Sequence, residues 1–219
     1  MTYYFNLKKL HVFITILVLY LLIIFISKSV LINEIVFYNT YSGQLTFERA
    51  MALFNDLKRF SWIGYVLIPV ILSIKFSAVS LILYIGAFLC NFHKKITVGE
   101  IFGVVIASEI VFVVAGLLKL FWFTFFAGNY DLNELSFFYP LSLSNFFKWS
   151  EVDNYWVPAL QGVNLFQIIY MILLSIGIYL KANIQKAEAE KAVLISYAPM
   201  LCFWIVLMIF LAINSSYET

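Results

Sequence analysis

Again and again this sequence stays apolar for as many residues as a helix needs to cross the hydrocarbon core of a bilayer. That core is roughly 30 Å thick, which takes about 20 residues of α-helix. Runs of this kind cover Leu10 to Ile32, most of Ser61 to Phe92, Ile101 to Phe126, Val157 to Leu180 and Val193 to Ile213. They are apolar all round, whereas barrel strands alternate apolar and polar residues, so the runs read as helices. Of 219 residues, 63% are hydrophobic and 12% charged, far from the balance of a soluble domain. The expectation is an all-α polytopic transmembrane helix bundle, a single domain over 1–219 with about five spans, the second at about 66–92, and lipid as its principal partner.

Lys8 and Lys9 precede a first run that is too long for a signal-peptide core and is followed by no small-residue cleavage site, so a retained signal anchor is expected. Orientation follows from basic residues in short loops. With the N-terminus cytoplasmic, Lys8, Lys9, Lys94, Lys95, Lys181, Lys186 and Lys191 fall inside. Arg49, Lys58, Arg59 and Lys148 fall outside, with most of the acids: Glu34, Glu48, Asp56, Asp131, Glu134, Glu151, Asp153 and Glu218.

Two outer segments carry structure of their own. In LTFERAMALFNDLKRF, the residues Phe47, Met51, Phe54 and Leu57 recur at helical spacing, which predicts an amphipathic helix over about 46–60. It lies along the outer interface or packs on the bundle; the pattern allows both. The segment 127–156 is dense in aromatic residues beside acids, and Tyr139, Trp149, Tyr155 and Trp156 suit the headgroup level. On the cytoplasmic side, KANIQKAEAEK favours helix extending past the bilayer, and Glu188 and Glu190 disfavour a polybasic lipid clamp. Within Ser61 to Phe92 the length exceeds one crossing, so the helix tilts, kinks or extends beyond the core; Pro69 is the expected site of a kink, between an outer interfacial part, Ser61 to Ile68, and a spanning part, Val70 to Phe92.

Charges inside the spans are few and therefore informative, since each costs about 2.5–3.5 kcal/mol at the bilayer centre on insertion scales. Lys75 of span two and Glu109 of span three lie about 6 Å apart in depth, by 1.5 Å of rise per residue from the cytoplasmic ends. A lysine stem bridges that, so an intramembrane pair is expected, either a register-fixing ion pair or part of a proton, ion or substrate path. Lys119 stands some 80° round the helix from Glu109 and is expected to snorkel to the outer side. Gly99, Gly103 and Ala107 recur four apart, a spacing that lets helix backbones approach within the bundle or between copies.

Signatures of catalysis are absent from the sequence: no HExxH, P-loop or GxSxG occurs, and DLNE and EVD fit no EF-hand loop. His11 and His93 sit near the cytoplasmic ends of spans, and Cys90 and Cys202 have no metal or redox spacing. No enzyme, cofactor, metal or nucleic-acid partner is expected.

The C-terminal part, LQGVNLFQIIYMILLSIGIYLKANIQKAEAEKAVLISYAPMLCFWIV, resembles the Yip (Ypt-interacting protein) domain family through Asn164-Leu165-Phe166, the apolar run to Gly177, the Lys-Ala linker and the final apolar helix. The resemblance implies a five-span fold more than a function. The expected role is that of an accessory or scaffold subunit of a membrane transport or secretion complex in the bacterial inner membrane, with other membrane proteins as partners. A small transporter or channel using Lys75 and Glu109 is the alternative. An epitope fused at the N-terminus is expected to resist protease added to intact cells while one inserted at 127–156 is cleaved; the reverse pattern would invert the topology.

Overall fold

The computed structural model describes residue 5 and residues 8–216. Glu218, counted above among the outer acids, lies outside the described residues. The fold is an all-α bundle, and five of its helical stretches are long and apolar enough to cross a membrane.

The first is α1 (Lys9–Ile26), continued by a π-helical turn over Ser27–Leu31. The segment expected on the outer side then forms a helical hairpin, α2 (Glu34–Tyr41) and α3 (Phe47–Arg59). Asn33 caps α2 by accepting from the Val36 amide at 2.9 Å. Glu48 in the first turn of α3, and Lys58 and Arg59 in its last, match the helix dipole. The two helices meet through Phe37 on Phe54 and Tyr38 on Phe47, with ring centroids 5.4 and 5.2 Å apart, and Ala50 is fully covered. Leu53 and Leu57 stay exposed, so α3 presents apolar surface outward as well as packing on α2.

The second span is one helix, α4 (Trp62–Leu89), which runs unbroken through Pro69. The expected interfacial and spanning parts on either side of Pro69 thus belong to one continuous helix. Ser73 and Ser77 donate to the carbonyls four residues back, and so does Ser80, so the hydroxyls are satisfied within the helix itself. At 28 residues it is about 42 Å long, so it tilts or projects beyond a 30 Å core. It ends earlier than the expected Phe92, because Asn91 adopts a left-handed conformation (φ 59°). The Phe92 amide then reaches back to the Ala87 carbonyl and the Asn91 amide to Phe88, both at 3.0 Å, a Schellman closure that buries Phe92 beneath the helix end.

A reciprocal capping box between Thr97 and Glu100 starts α5 (Val98–Ser108). After a one-residue interruption at Glu109 the chain continues as α6 (Ile110–Phe125). The outer segment folds as a short helix α7 (Leu132–Phe137), 3-10 turns and α8 (Val157–Gly162). It is tied to the hairpin: the Tyr130 hydroxyl donates to the Leu31 carbonyl at 3.0 Å and the Leu132 amide to the Thr40 hydroxyl at 2.9 Å.

The fourth span, α9, covers Leu165–Ala182 and not the expected 157–180. The loop prevents the longer helix: the Leu143 amide donates to the Val163 carbonyl and the Leu165 amide to Leu141, so residues 163–165 are held extended beside residues 141–143. Asn164 then caps α9 by accepting from the Gln167 amide. Asn183, again left-handed at φ 50°, closes α9, and α10 (Lys186–Ser216) forms the last span.

Close packing is set by glycines other than those expected. A Cβ on Gly86 would stand 2.6 Å from the Ala192 carbonyl oxygen, so α4 and α10 touch almost backbone to backbone. A Cβ on Gly177 would overlap the Val104 side chain, which joins α9 to α5. The Gly99–Gly103 stripe instead receives the stem of Lys9 from α1, with Cγ and Cε 3.3 Å from a Cβ built on Gly103. That stripe is therefore filled from within the chain by a side chain rather than by another helix backbone.

Gly86→Ala is expected to destabilise the bundle by about 1–3 kcal/mol, because α4 and α10 must separate. Gly43→Ala, where a Cβ meets nothing within 4 Å, is expected to leave it unchanged. Equilibrium unfolding of the purified variants in detergent checks both.

Candidate intramembrane charge cluster

Glu109 stands at the seam between α5 and α6 and is fully buried. Its backbone is in the α region (φ −60°, ψ −18°), and its amide is shared between the Val105 and Ile106 carbonyls at 3.2 Å each, a locally tightened turn. The carboxylate meets donors from two other spans at one oxygen. Lys75 Nζ of α4 donates to Oε1 at 2.6 Å, and the Tyr20 hydroxyl of α1 donates to the same atom at 2.8 Å. Lys75 and Glu109 are thus brought into an ion pair, and Tyr20 makes it a junction of three spans.

The ammonium has a second set of neighbours. Lys75 Nζ lies 4.4 Å from the centroid of the Phe112 ring and 5.9 Å from that of Tyr170. Cation–π attraction of this kind is worth about 0.5–2 kcal/mol, the upper end where water is excluded. Tyr170 of α9 is itself fully buried and packs at a tilt on Phe112, 4.9 Å between centroids, and at 5.6 Å on Tyr197 of α10, whose hydroxyl accepts from Gln167 at 2.6 Å. Each of the other four spans therefore contributes a polar side chain to this region: Tyr20 and Lys75 bond Glu109, and Tyr170 and Tyr197 follow through the ring contacts that begin at Phe112. From the outer loop Tyr139 packs on Phe166 nearby. Burial, and then the Glu109 carboxylate, pushes the Tyr139 phenol up to about 12.

Two features of the cluster set its chemistry. The Lys75 side chain is 36% exposed while Glu109 is 0% exposed, so the pair has one open and one closed end. Glu109 Oε2 and the Tyr170 hydroxyl are buried with no hydrogen-bond partner, as is the Ser108 hydroxyl next in sequence to Glu109. Buried polar atoms without partners are uncommon, and they mark acceptor and donor capacity left over.

The other residues singled out by sequence stand apart. Lys119 on α6 is half-buried and makes no ion pair among the described residues. Ala107 is buried on α5, one turn beyond the Lys9-covered glycines. The outer acids have local tasks: Asp131 caps α7 by accepting from the Glu134 amide, and Asp153 accepts from the Tyr155 hydroxyl. No group of three or more His, Cys, Asp or Glu that could hold a metal occurs among the described residues. His11 is exposed, and His93 packs on the Phe88 ring at 4.9 Å.

Sequence reasoning passed over Tyr20, Tyr170, Tyr197 and Gln167, because tyrosine inside an apolar run reads as bulk and not as a donor. It also passed over Lys28, which donates to the Ser61 carbonyl at 3.0 Å and sits 4.8 Å above the Tyr65 ring, fastening the end of α1 to the start of α4. Their common signal is a hydrogen-bonding group deep in a long apolar stretch.

Among the cavities formed by the described residues, one of about 840 Å³ lies between Trp122, Phe138 and Trp149, and another of about 650 Å³ between Phe146, Gln167 and Ile205, both against the loop 127–156 and its neighbours. Neither is lined by Lys75 or Glu109.

Fold and cluster together define a class, an all-α bundle with five candidate membrane spans around a shared buried carboxylate, which fits an integral membrane protein. Comparison with family models, with curated proteins and with solved structures finds no match.

Lys75→Met leaves the Glu109 charge buried without its cation, and breaking such a pair costs about 3–5 kcal/mol. Glu109→Leu combined with Lys75→Met is expected to recover most of that loss. Unfolding of the two variants in bicelles checks the order, and a double variant as unstable as the single one would contradict it.

Proposed function

We propose that the chain is a non-enzymatic integral membrane protein that serves as an accessory or scaffold subunit of a membrane transport or secretion complex, in a bacterial inner membrane. The observation that carries the proposal is the closure of Glu109: the carboxylate is fully buried, clamped by Tyr20 and Lys75, and neither cavity touches it. A charge clamped in this way holds helices in register. Short loops support the location. The exposed apolar residues of α3 and the aromatic outer layer supply surface for neighbouring membrane proteins. The resemblance of the C-terminal spans to the Yip domain family adds a fold to this proposal and no partner.

One observation favours the second reading, a small transporter or channel. Glu109 Oε2 and the Tyr170 hydroxyl are buried polar atoms with unused bonding capacity, as a proton or ion relay requires.

Extraction of native membranes with a mild detergent is expected to recover the tagged chain with other membrane proteins in fixed ratio, and the chain purified alone is expected to move no solute in liposomes. A chain recovered by itself that transports when reconstituted, and loses transport in Glu109→Gln, would replace the subunit reading with the transporter.

A further inference from the structure

We propose that the pocket formed by Glu109, Phe112 and Tyr170 is an ammonium-binding site, occupied in this structure by the chain's own Lys75, and that the ligand class it accepts is a small primary alkylammonium. The inference rests on the geometry of the cluster and is independent of the subunit role.

The pocket has the elements of an ammonium receptor. The Glu109 carboxylate supplies a charge-assisted acceptor 2.6 Å from the nitrogen. The faces of Phe112 and Tyr170 supply two aromatic contacts, at 4.4 and 5.9 Å, and Tyr170, like Glu109, is fully buried. A pair of helices needs only the carboxylate to hold a lysine in register; the flanking rings recognise the cation. An ammonium carries three N–H donors. Lys75 spends one on Oε1, which leaves Glu109 Oε2 as a buried acceptor beside it with no partner. The Lys75 side chain is 36% exposed, so the resident cation has a way out on the side away from Glu109 and the vacated space has a way in.

Replacing Lys75 by alanine deletes Cγ, Cδ, Cε and Nζ, which together have the shape of n-propylamine. In that variant the buried Glu109 carboxylate has lost its cation. n-Propylammonium from solution restores the missing atoms and the positive charge together, and pairs with the carboxylate with no proton transferred.

Lys75→Ala in lipid nanodiscs is melted at fixed pH and ionic strength with rising n-propylammonium chloride, against potassium chloride as the control. The expected result is a saturable rise in melting temperature of roughly 3–8 °C that potassium chloride does not give. Methylammonium, lacking the stem, is expected to give a smaller rise. The wild type, already filled, and the double variant Lys75→Ala with Glu109→Gln are expected to respond as they do to salt. A rise equal in potassium chloride, or one that persists in the double variant, would overturn the proposal. Where Lys75→Ala does not survive purification, the readout is the yield of assembled protein from cell-free synthesis into nanodiscs. A gain of severalfold with propylammonium supports the site, and an unchanged yield overturns it. Co-purification of partners is unaffected by either result, so failure here and failure of the subunit reading remain separate.

Discussion

A carboxylate enclosed among five apolar helices is the condition that the rest of the bundle has to meet. Ionised and alone it would cost several kcal/mol after relaxation, and the nearest remedy is a cation on another helix with a stem long enough to reach it. Lys75 meets that need at 2.6 Å, and the Tyr20 hydroxyl meets it from the other side at 2.8 Å. These two bonds fix rotation as well as contact. Turning α4 or α1 by one residue swings the donor about 100° away and leaves Oε1 bare. The tightened turn at Glu109 belongs to the same arrangement, because its carbonyl then accepts from both the Phe112 and the Val113 amides as α6 begins. Phe112, first brought near by that turn, is the ring that faces the ammonium.

Away from the cluster the helices are held by shape. Gly86 on Ala192 and Gly177 on Val104 bring α4 to α10 and α5 to α9 with no polar contribution needed from either glycine. In lipid this is the expected division of labour. Acyl chains are as apolar as leucine, so burial alone gives little net attraction between helices, and close approach of surfaces matters more. The outer layer follows a third rule. There the backbone leaves helical form, and each departure is matched by a bond to another segment, as at Val163 with Leu143, Leu132 with Thr40 and Tyr130 with Leu31.

The spans were legible in the sequence because length and uniform apolarity are what a bilayer selects, and both are properties of consecutive residues. Lys75 and Glu109 were legible as neighbours by depth, since the rise of a helix is constant and two antiparallel spans share one scale. Depth says nothing about azimuth, and so the second bond, from Tyr20, was not legible. It depends on which face α1 turns inward, and a helix that is apolar all round carries no such mark. The same ambiguity misled the reading of glycines. Gly99, Gly103 and Ala107 have the spacing of a helix contact, yet Lys9 lies across the two glycines, while isolated Gly86 and Gly177 make the tightest contacts. Where the fourth span begins was hidden for another reason. Val157 to Gly162 is helical and apolar enough to belong to it, and only the pairing of 163–165 with a segment twenty residues earlier separates the two.

Four lysines in or at the ends of the spans show how differently one side chain is accommodated when water is scarce. Lys75 pairs with a buried carboxylate between aromatic faces. Lys28 uses the Ser61 carbonyl at the start of α4 together with the Tyr65 ring. Lys9 lays its stem along glycines, with its nitrogen toward the chain end where Glu100 lies within reach of its charge. Lys119 has no acid beside it and stays half-buried on α6, within two turns of the outer end of that helix. The order follows depth: the farther a lysine lies from either helix end, the more of its charge the protein itself must answer. Lys75, fourteen residues before Leu89 and thirteen after Trp62, stands midway along α4, and it is the one met by a carboxylate.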